Sequence, residues 1–170
     1  MDFYENKKVL NKGGIFMIKV KDVHRIGILV KDLDKAVKLF TTIFGAKVGI
    51  TYRKDETENY QLTYDEIPPV GLKSAYLTIG KNFQIELMAP STPDGVMAKE
   101  LERKGEGIYS ISFQVDNVVE AIKDLEANGV RVVGKQLDWK TKTNQGEVHT
   151  PYALTHPKDS CGFMVEIGMR

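Results

Sequence analysis

IGILVKDLDKAVKLF, residues 26–40, lies without a gap over ISFQVDNVVEAIKDL, residues 111–125. Ile26 meets Ile111, Val30 meets Val115, Ala36 meets Ala121 and Lys38 meets Lys123. Each stretch opens with the alternation of a half-buried strand: Ile26, Ile28 and Val30 in one, Ile111, Phe113 and Val115 in the other. Each then changes to a helical period. Asp32 stands at the cap position, and Leu33, Ala36, Val37, Phe40, Ile43 and Phe44 form an apolar stripe that stops at Gly45. In the later stretch Asn117 caps, Glu120 sits where a capping box places an acid, and Gly129 stops the helix.

Downstream, both stretches lead to the same closing motif, FQIEL at 83–87 and FMVEI at 163–167. The chain therefore reads as two copies of one unit of about 75 to 85 residues. Further strands are predicted near 46–54, 73–79 and 82–88, with a turn at Gly80–Asn82, and near 130–134, 149–155 and 162–168. A connecting helix is expected near 93–103, opened by Thr92 and Pro93. The predicted fold is α+β: two βαβββ modules, near 20–90 and 105–168, forming a curled mixed sheet with a central cup and helices outside. Residues 20–170 read as one domain and residues 1–19 as an N-terminal arm; the sixteen residues before Met17 read equally as the product of an upstream start, and no function is assigned to them.

The closing motif raises a physical question, because each copy puts a glutamate in an otherwise apolar strand. A buried carboxylate is costly unless paired, protonated or bound to something. Strand alternation supplies an answer. If Ile26, Ile28 and Val30 pack under the first helix, then Arg25, Gly27 and Leu29 face the other way. The second copy gives Ser110, Ser112 and Gln114 by the same count, and the closing strands give Gln84, Glu86 and Met88, then Met164, Glu166 and Gly168. The expected cup floor thus holds Arg25, Glu86, Ser110 and Glu166.

Composition narrows the function classes. Hydrophobic content of 42% and charged content of 28% are ordinary for a globular protein, and a net charge of +1 gives no global field for nucleic acid or membrane partners. No apolar run reaches the ~20 residues that span a bilayer. The single cysteine, Cys161, gives no internal disulfide, fits a reducing cytoplasm and reads as a buried or half-buried thiol.

The paired units, with DLDKAVKLFTTIFGAKV and QIELMAP, resemble the vicinal oxygen chelate superfamily of glyoxalase, bleomycin-resistance and dioxygenase relatives. Within it, IELMAPSTPDGVMAKELERKGEGI, VDNVVEAIKDLEANGVRVV and THPKDSCGFMVEI are similar to the methylmalonyl-CoA epimerase family. The resemblance covers residues 20 to 168 and is most specific at HPKDSCGFMVE. It implies a metal held by one side chain from each of four strands, usually His, Glu or Gln, His and Glu. The two glutamates are present as Glu86 and Glu166, but the histidine positions fall on Arg25 and Ser110. A guanidinium has no lone pair for a metal, and serine is a poor ligand for zinc-like ions. Any metal set is therefore left as Glu86 and Glu166 with His24, which a β-bulge would have to turn inward, and no cofactor is assigned. A simpler arrangement pairs Arg25 with Glu86 and Glu166.

The resemblance implies movement of a proton at the carbon next to a thioester carbonyl, which needs a base on each face and an electrophile for the enolate oxygen. Glu166 matches one family base, Arg25 stands where the metal charge would be, and Glu86 completes the expected catalytic set. The second family acid falls near Pro69, with Asp65 and Glu66 close by. Ligand contacts are expected from Gln84, Tyr109, Ser110, Ser112 and Trp139. An acyl-CoA's phosphates and adenine would meet Lys135, Lys140, Lys142 and Trp139 in KQLDWKTKTNQGE, a stretch that reads equally well as a solvated loop. His149 and His156 read as structural or surface groups. The partner is a small molecule, an anion or acyl-CoA, and a homodimer is implied by resemblance alone. Two alternatives stand beside the epimerase: a bleomycin-resistance type module that binds a small anion or drug without chemistry, and a glyoxalase-like lyase.

Overall fold

The computed structural model describes residues 17–49, 52–54, 60–62, 65–67, 70–81, 83–138, 140–143 and 146–169. They divide into two compact units, His24–Ile111 and a second made of Ser112–Arg170 with the stretch ending at Val23.

The first unit contains most of β1 (Val20–Leu29), then α1 (Leu33–Thr42), β2 (Lys47–Val48), β3 (Tyr52–Lys54), β4 (Tyr60–Leu62), β5 (Asp65–Ile67), β6 (Leu72–Ile79), β7 (Phe83–Pro90), α2 (Val96–Lys104) and the start of β8 (Gly107–Val115). Its sheet runs β2–β6–β7–β1, with β5 also paired to β6. β6 and β7 form an antiparallel hairpin from Leu72↔Pro90 to Ile79↔Phe83. β1 lies parallel to β7, from Arg25↔Gln84 to Leu29↔Met88, so the sheet is mixed. A parallel neighbour requires a crossover, and α1 supplies it.

The second unit contains the rest of β8, then α3 (Val118–Ala127), β9 (Val132–Gln136), β10 (Lys140–Thr143), β11 (Gly146–His149), β12 (Tyr152–Thr155) and β13 (Met164–Gly168). Its order is β8–β13–β12–β9. Reading β1 for β8, β7 for β13, β6 for β12 and β2 for β9 gives the order of the first unit. The repeat in the sequence is a repeat of topology.

Each unit buries its own helix stripe. In the first, Leu33 and Val37 of α1 pack with Ala75, Leu77, Ile85 and Leu87. In the second, Val118, Ala121 and Ile122 of α3 pack with Val115, Ala153 and Ile167. Burying one such leucine or isoleucine contributes ~1.5–3 kcal/mol. Both predicted caps form: Asp32 Oδ1 accepts from Lys35 N at 3.0 Å, and Asn117 Oδ1 from Glu120 N at 3.1 Å.

Five expectations need correction. The stripe on α1 is shorter than its sequence suggests, since the helix ends at Thr42 and Ile43 and Phe44 are 67% and 56% exposed. Ala46 instead carries the chain back into the core. The connecting helix starts at Val96 with Gly95 as its cap, because 91–95 is folded into a turn against Gly71: Ser91 N donates to Gly71 O at 2.8 Å. The predicted strand near 46–54 is two separate strands, and KQLDWKTKTNQGE holds a hairpin, Lys140↔His149 to Thr143↔Gly146. Cys161 is exposed, in a turn where its φ is 59°.

Candidate functional site

In the first unit the expected site residues lie on β1, β7 and the start of β8. Arg25 and Glu86 are 5% and 6% exposed, and Arg25 Nε lies 3.1 Å from Glu86 Oε2. The parallel register brings this about, because Arg25 stands opposite Gln84 and its side chain reaches along β7 to the residue two further on. Taking two charges out of water costs several kcal/mol per ion, so such a pair is poor evidence for stability and better evidence for a role. Gln84 is partly buried beside it. Ser110 is buried next to β1: a Cβ on Gly27 would come within 2.2 Å of Ser110 Oγ and 2.6 Å of Met88 Cε. Only glycine at position 27 leaves room for that approach.

Sequence reasoning missed one member of this group. Tyr76 faces Glu86 across the β6–β7 hairpin. Its hydroxyl hydrogen-bonds to Glu86 and to Ser74, and its ring lies 5.2 Å from the Arg25 guanidinium carbon. Burial, then the neighbouring Glu86 charge, pushes the Tyr76 phenol above its ordinary value. The signal was available in KSAYLTI, where Ser74, Tyr76 and Thr78 alternate with Ala75, Leu77 and Ile79, but only one face of that strand reads as core.

Tyr109 packs against the cluster of Leu29, Leu72, Met88 and Met97 and sits under Lys104, whose Nζ is 5.6 Å from the ring centroid. Burial raises its phenol pKa as well, with Glu100 a smaller cause. His24 is partly buried and next to Arg25 on a regular strand, so alternation turns it to the opposite face. Asp65 and Glu66 stand opposite Ser74 and Lys73 in the β5–β6 register.

The second unit holds Glu166 and Ser112, 8% and 3% exposed. Ser112 Oγ donates to Glu166 Oε1 at 2.9 Å. Beyond this pair the HPKDS turn is anchored rather than reactive. Arg131 grips Asp159 through Nε at 2.7 Å and Nη2 at 2.9 Å, and His156 Nδ1 accepts from Lys158 N at 3.1 Å. These contacts hold Asp159 below the usual carboxylate range. Thr155 Oγ1 accepts from Val165 N at 2.9 Å, tying the turn to the strand that carries Glu166. His149 is exposed, with Nε2 2.7 Å from Leu137 O. Lys135 pairs with Glu126 at 2.6 Å, and Trp139 lies outside the described residues. Among the described residues, no three of His, Cys, Asp and Glu gather as a metal-holding group, and no helix is long and apolar enough to cross a membrane.

Two βαβββ units, each closing on a strand with a buried glutamate, define an α+β class of paired modules. The chain belongs to the Glyoxalase/Bleomycin resistance protein/Dioxygenase superfamily, whose sequence profile matches residues 24–148. It is 27% identical over 146 residues to the mitochondrial methylmalonyl-CoA epimerase of Homo sapiens, spanning 85% of this chain and 72% of that one. It is 28% identical over 146 residues to the ethylmalonyl-CoA/methylmalonyl-CoA epimerase of Cereibacter sphaeroides, spanning 85% of this chain and 95% of that one. The crystal structure of methylmalonyl-CoA epimerase from Mycobacterium tuberculosis matches with a TM-score of 0.66 at 25% identity, covering 88% of each chain.

Proposed function

We propose that this protein epimerises an acyl thioester, moving a proton between the two faces of the carbon next to the carbonyl. The observation that carries the reading is Glu166, which falls on the family's base through HPKDSCGFMVE and is a buried carboxylate anchored by Ser112 at 2.9 Å. In the forward step Glu166 takes the proton, the C–H electron pair moves into the carbonyl, and an enolate forms. A second acid then returns a proton to the opposite face, and the carbonyl re-forms. Asp65 and Glu66 are the candidates for that acid. General acid–base groups of this kind contribute roughly 10²- to 10⁴-fold in rate.

The enolate oxygen needs a positive partner, and we assign this to Arg25. Relatives of this class place a metal there, but the residues of the first unit do not fit one. Arg25 has no lone pair to give, and its charge already lies 3.1 Å from the Glu86 carboxylate. No step of the proposed reaction runs through a metal.

A second reading, an anion-binding module without chemistry, is favoured by the same buried Arg25, since binding needs the cation but no second acid. Exchange in D2O separates the two. Methylmalonyl-CoA of one configuration, incubated with the protein, should gain deuterium at the α carbon as its configuration scrambles. Glu166→Gln should abolish the exchange and Arg25→Ala should nearly do so. Tight binding with no exchange in the wild type would leave the binding module, and full activity in Arg25→Ala would remove Arg25 from the mechanism.

A further inference from the structure

In the second unit the pairing of β12 with β13 stops at the residue that matters most. The two strands pair at Tyr152↔Gly168, Ala153↔Ile167 and Leu154↔Glu166. One position further, Val165 N–H donates to a side chain, Thr155 Oγ1, at 2.9 Å. The register of β12 against β9 shifts at the same place, between Leu154 and Thr155.

Counting protons orders the contacts behind that bond. Thr155 Oγ1 lies 2.8 Å from Ser160 Oγ, and distance alone does not say which oxygen donates. Ser160 Oγ also lies 2.8 Å from Phe163 O and 3.1 Å from His156 O. Carbonyls only accept, so the single Ser160 proton points toward them and a lone pair of Ser160 faces Thr155. Thr155 therefore donates to Ser160 and keeps a lone pair for Val165 N–H. The chain runs from Val165 N–H to Thr155, from Thr155 to Ser160, and from Ser160 to Phe163 O. Bonds aligned in one direction polarise and strengthen one another. Both ends of the chain lie on the two sides of Met164, immediately before Glu166. Thr155 is 1% exposed, so water cannot readily stand in for its hydroxyl.

We propose that Thr155 is the positioning residue for Glu166: with Ser160 it brackets the start of β13 and holds the carboxylate where Ser112 donates to it. The inference rests on the reading of Glu166 as the base. A catalytic group works only when held within ~0.5 Å of its productive place. Leu154↔Glu166 is the last rung of the pairing with β12, so a Val165 that is not pinned lets the strand end shift, and the shift reaches the next residue. Threonine suits the place, because its β-branch restricts χ1 and keeps the oxygen aimed.

Thr155→Val keeps the branched shape and removes the hydroxyl. With methylmalonyl-CoA, kcat should fall about tenfold while KM stays within about twofold, the weight of one buried hydrogen bond acting on the base alone. Thr155→Ser, which restores the oxygen, should recover most of that loss. A merely structural role predicts a lower Tm with kcat unchanged, and that result overturns the proposal. A Thr155→Ser variant no better than Thr155→Val overturns it too.

A double-mutant cycle reads the same coupling without turnover. Ser112→Ala should lower the urea midpoint by removing the bond to Glu166, and in the Thr155→Val background that drop should shrink by about half or more. Additive drops overturn the proposal. If the wild type fails to epimerise, the reading of Glu166 as base falls, while the cycle still decides whether Thr155 places its carboxylate. If Thr155→Val does not fold, amide exchange of the wild type takes its place. Val165 N–H should exchange as slowly as its neighbours in β13, and exchange at the rate of an open loop overturns the proposal.

Discussion

Ser112 Oγ donates a 2.9 Å hydrogen bond to Glu166 Oε1, and the two side chains reach each other from different strands of one unit, β8 and β13. Both are buried, so this is a contact of low local dielectric, where a hydrogen bond to a carboxylate is worth ~1.5–3 kcal/mol. A serine hydroxyl fixes one carboxylate oxygen without adding charge, which suits the role proposed for Glu166 in taking up and releasing a proton. Ser112→Ala should lower kcat for epimerisation by roughly ten- to a hundredfold with KM little changed, following that energy. It should also lower unfolding free energy in urea. An unchanged kcat in a folded variant would leave Ser112 as packing alone.

The fold was legible because its signal is periodic and repeated. Ile26–Phe40 over Ile111–Leu125 carries strand period, cap and helix period twice, and both caps and both cores form as that pattern requires. The burial of both glutamates was legible because the closing motif sets each in an otherwise apolar strand. Three things were not. Ile43 and Phe44 continue the apolar spacing of α1 after the helix has ended, and periodicity does not see where a sheet stops supporting a helix. Lys140–Thr143 pairs with Gly146–His149 through backbone hydrogen bonds in a Lys- and Thr-rich stretch with no apolar face to read. Tyr76 is a partner chosen by register: only the pairing Tyr76↔Glu86 tells it apart from any other tyrosine on a strand.

Gly27 is the next position where placement decides chemistry. A methyl group there would sit 2.2 Å from Ser110 Oγ and 2.6 Å from Met88 Cε. Both obstacles are side-chain ends, so Gly27→Ala should fold after Ser110 and Met88 move, at an overpacking cost of ~1–3 kcal/mol. Equilibrium denaturation should register that loss, and Gly27→Ala with Ser110→Ala should recover part of it. No recovery in the double variant would place the strain elsewhere.

Gly71 and Gly95 make a backbone contact that no rotamer can relieve. A Cβ on Gly71 would meet Gly95 Cα at 2.9 Å and Thr92 Oγ1 at 2.6 Å, and its φ is +64°. Gly80 has nearly the same backbone, φ +62°, with nothing within 4 Å of its added Cβ. Gly80→Ala should therefore cost only the left-handed strain, ~1–2 kcal/mol. Gly71→Ala should cost that strain and a further ~1–3 kcal/mol of forced backbone shift. Equal losses in thermal melts of the two variants would mean that the turn at 91–95 is not held by this contact.

The Arg131–Asp159 clamp gives the molecule a predictable acid response. Three hydrogen bonds from Arg131, through N at 3.1 Å, Nε at 2.7 Å and Nη2 at 2.9 Å, reach the Asp159 carboxylate. They hold its pKa below the ordinary 3.8 of an unfolded chain. A carboxyl depressed by folding stabilises the native state in full above the unfolded value, and that contribution is lost as pH falls below 3.8 toward the lower native value. The clamp should thus be fully present at neutral pH and weaken in the acid limb. Arg131 is exposed, so salt should weaken it too. Asp159→Asn should lower Tm modestly at pH 7, by the same amount at pH 5, and by progressively less below pH 4. Curves of Tm against pH for wild type and variant should converge at the acid end; parallel curves down to pH 2 would show that the Asp159 charge is not what holds this turn.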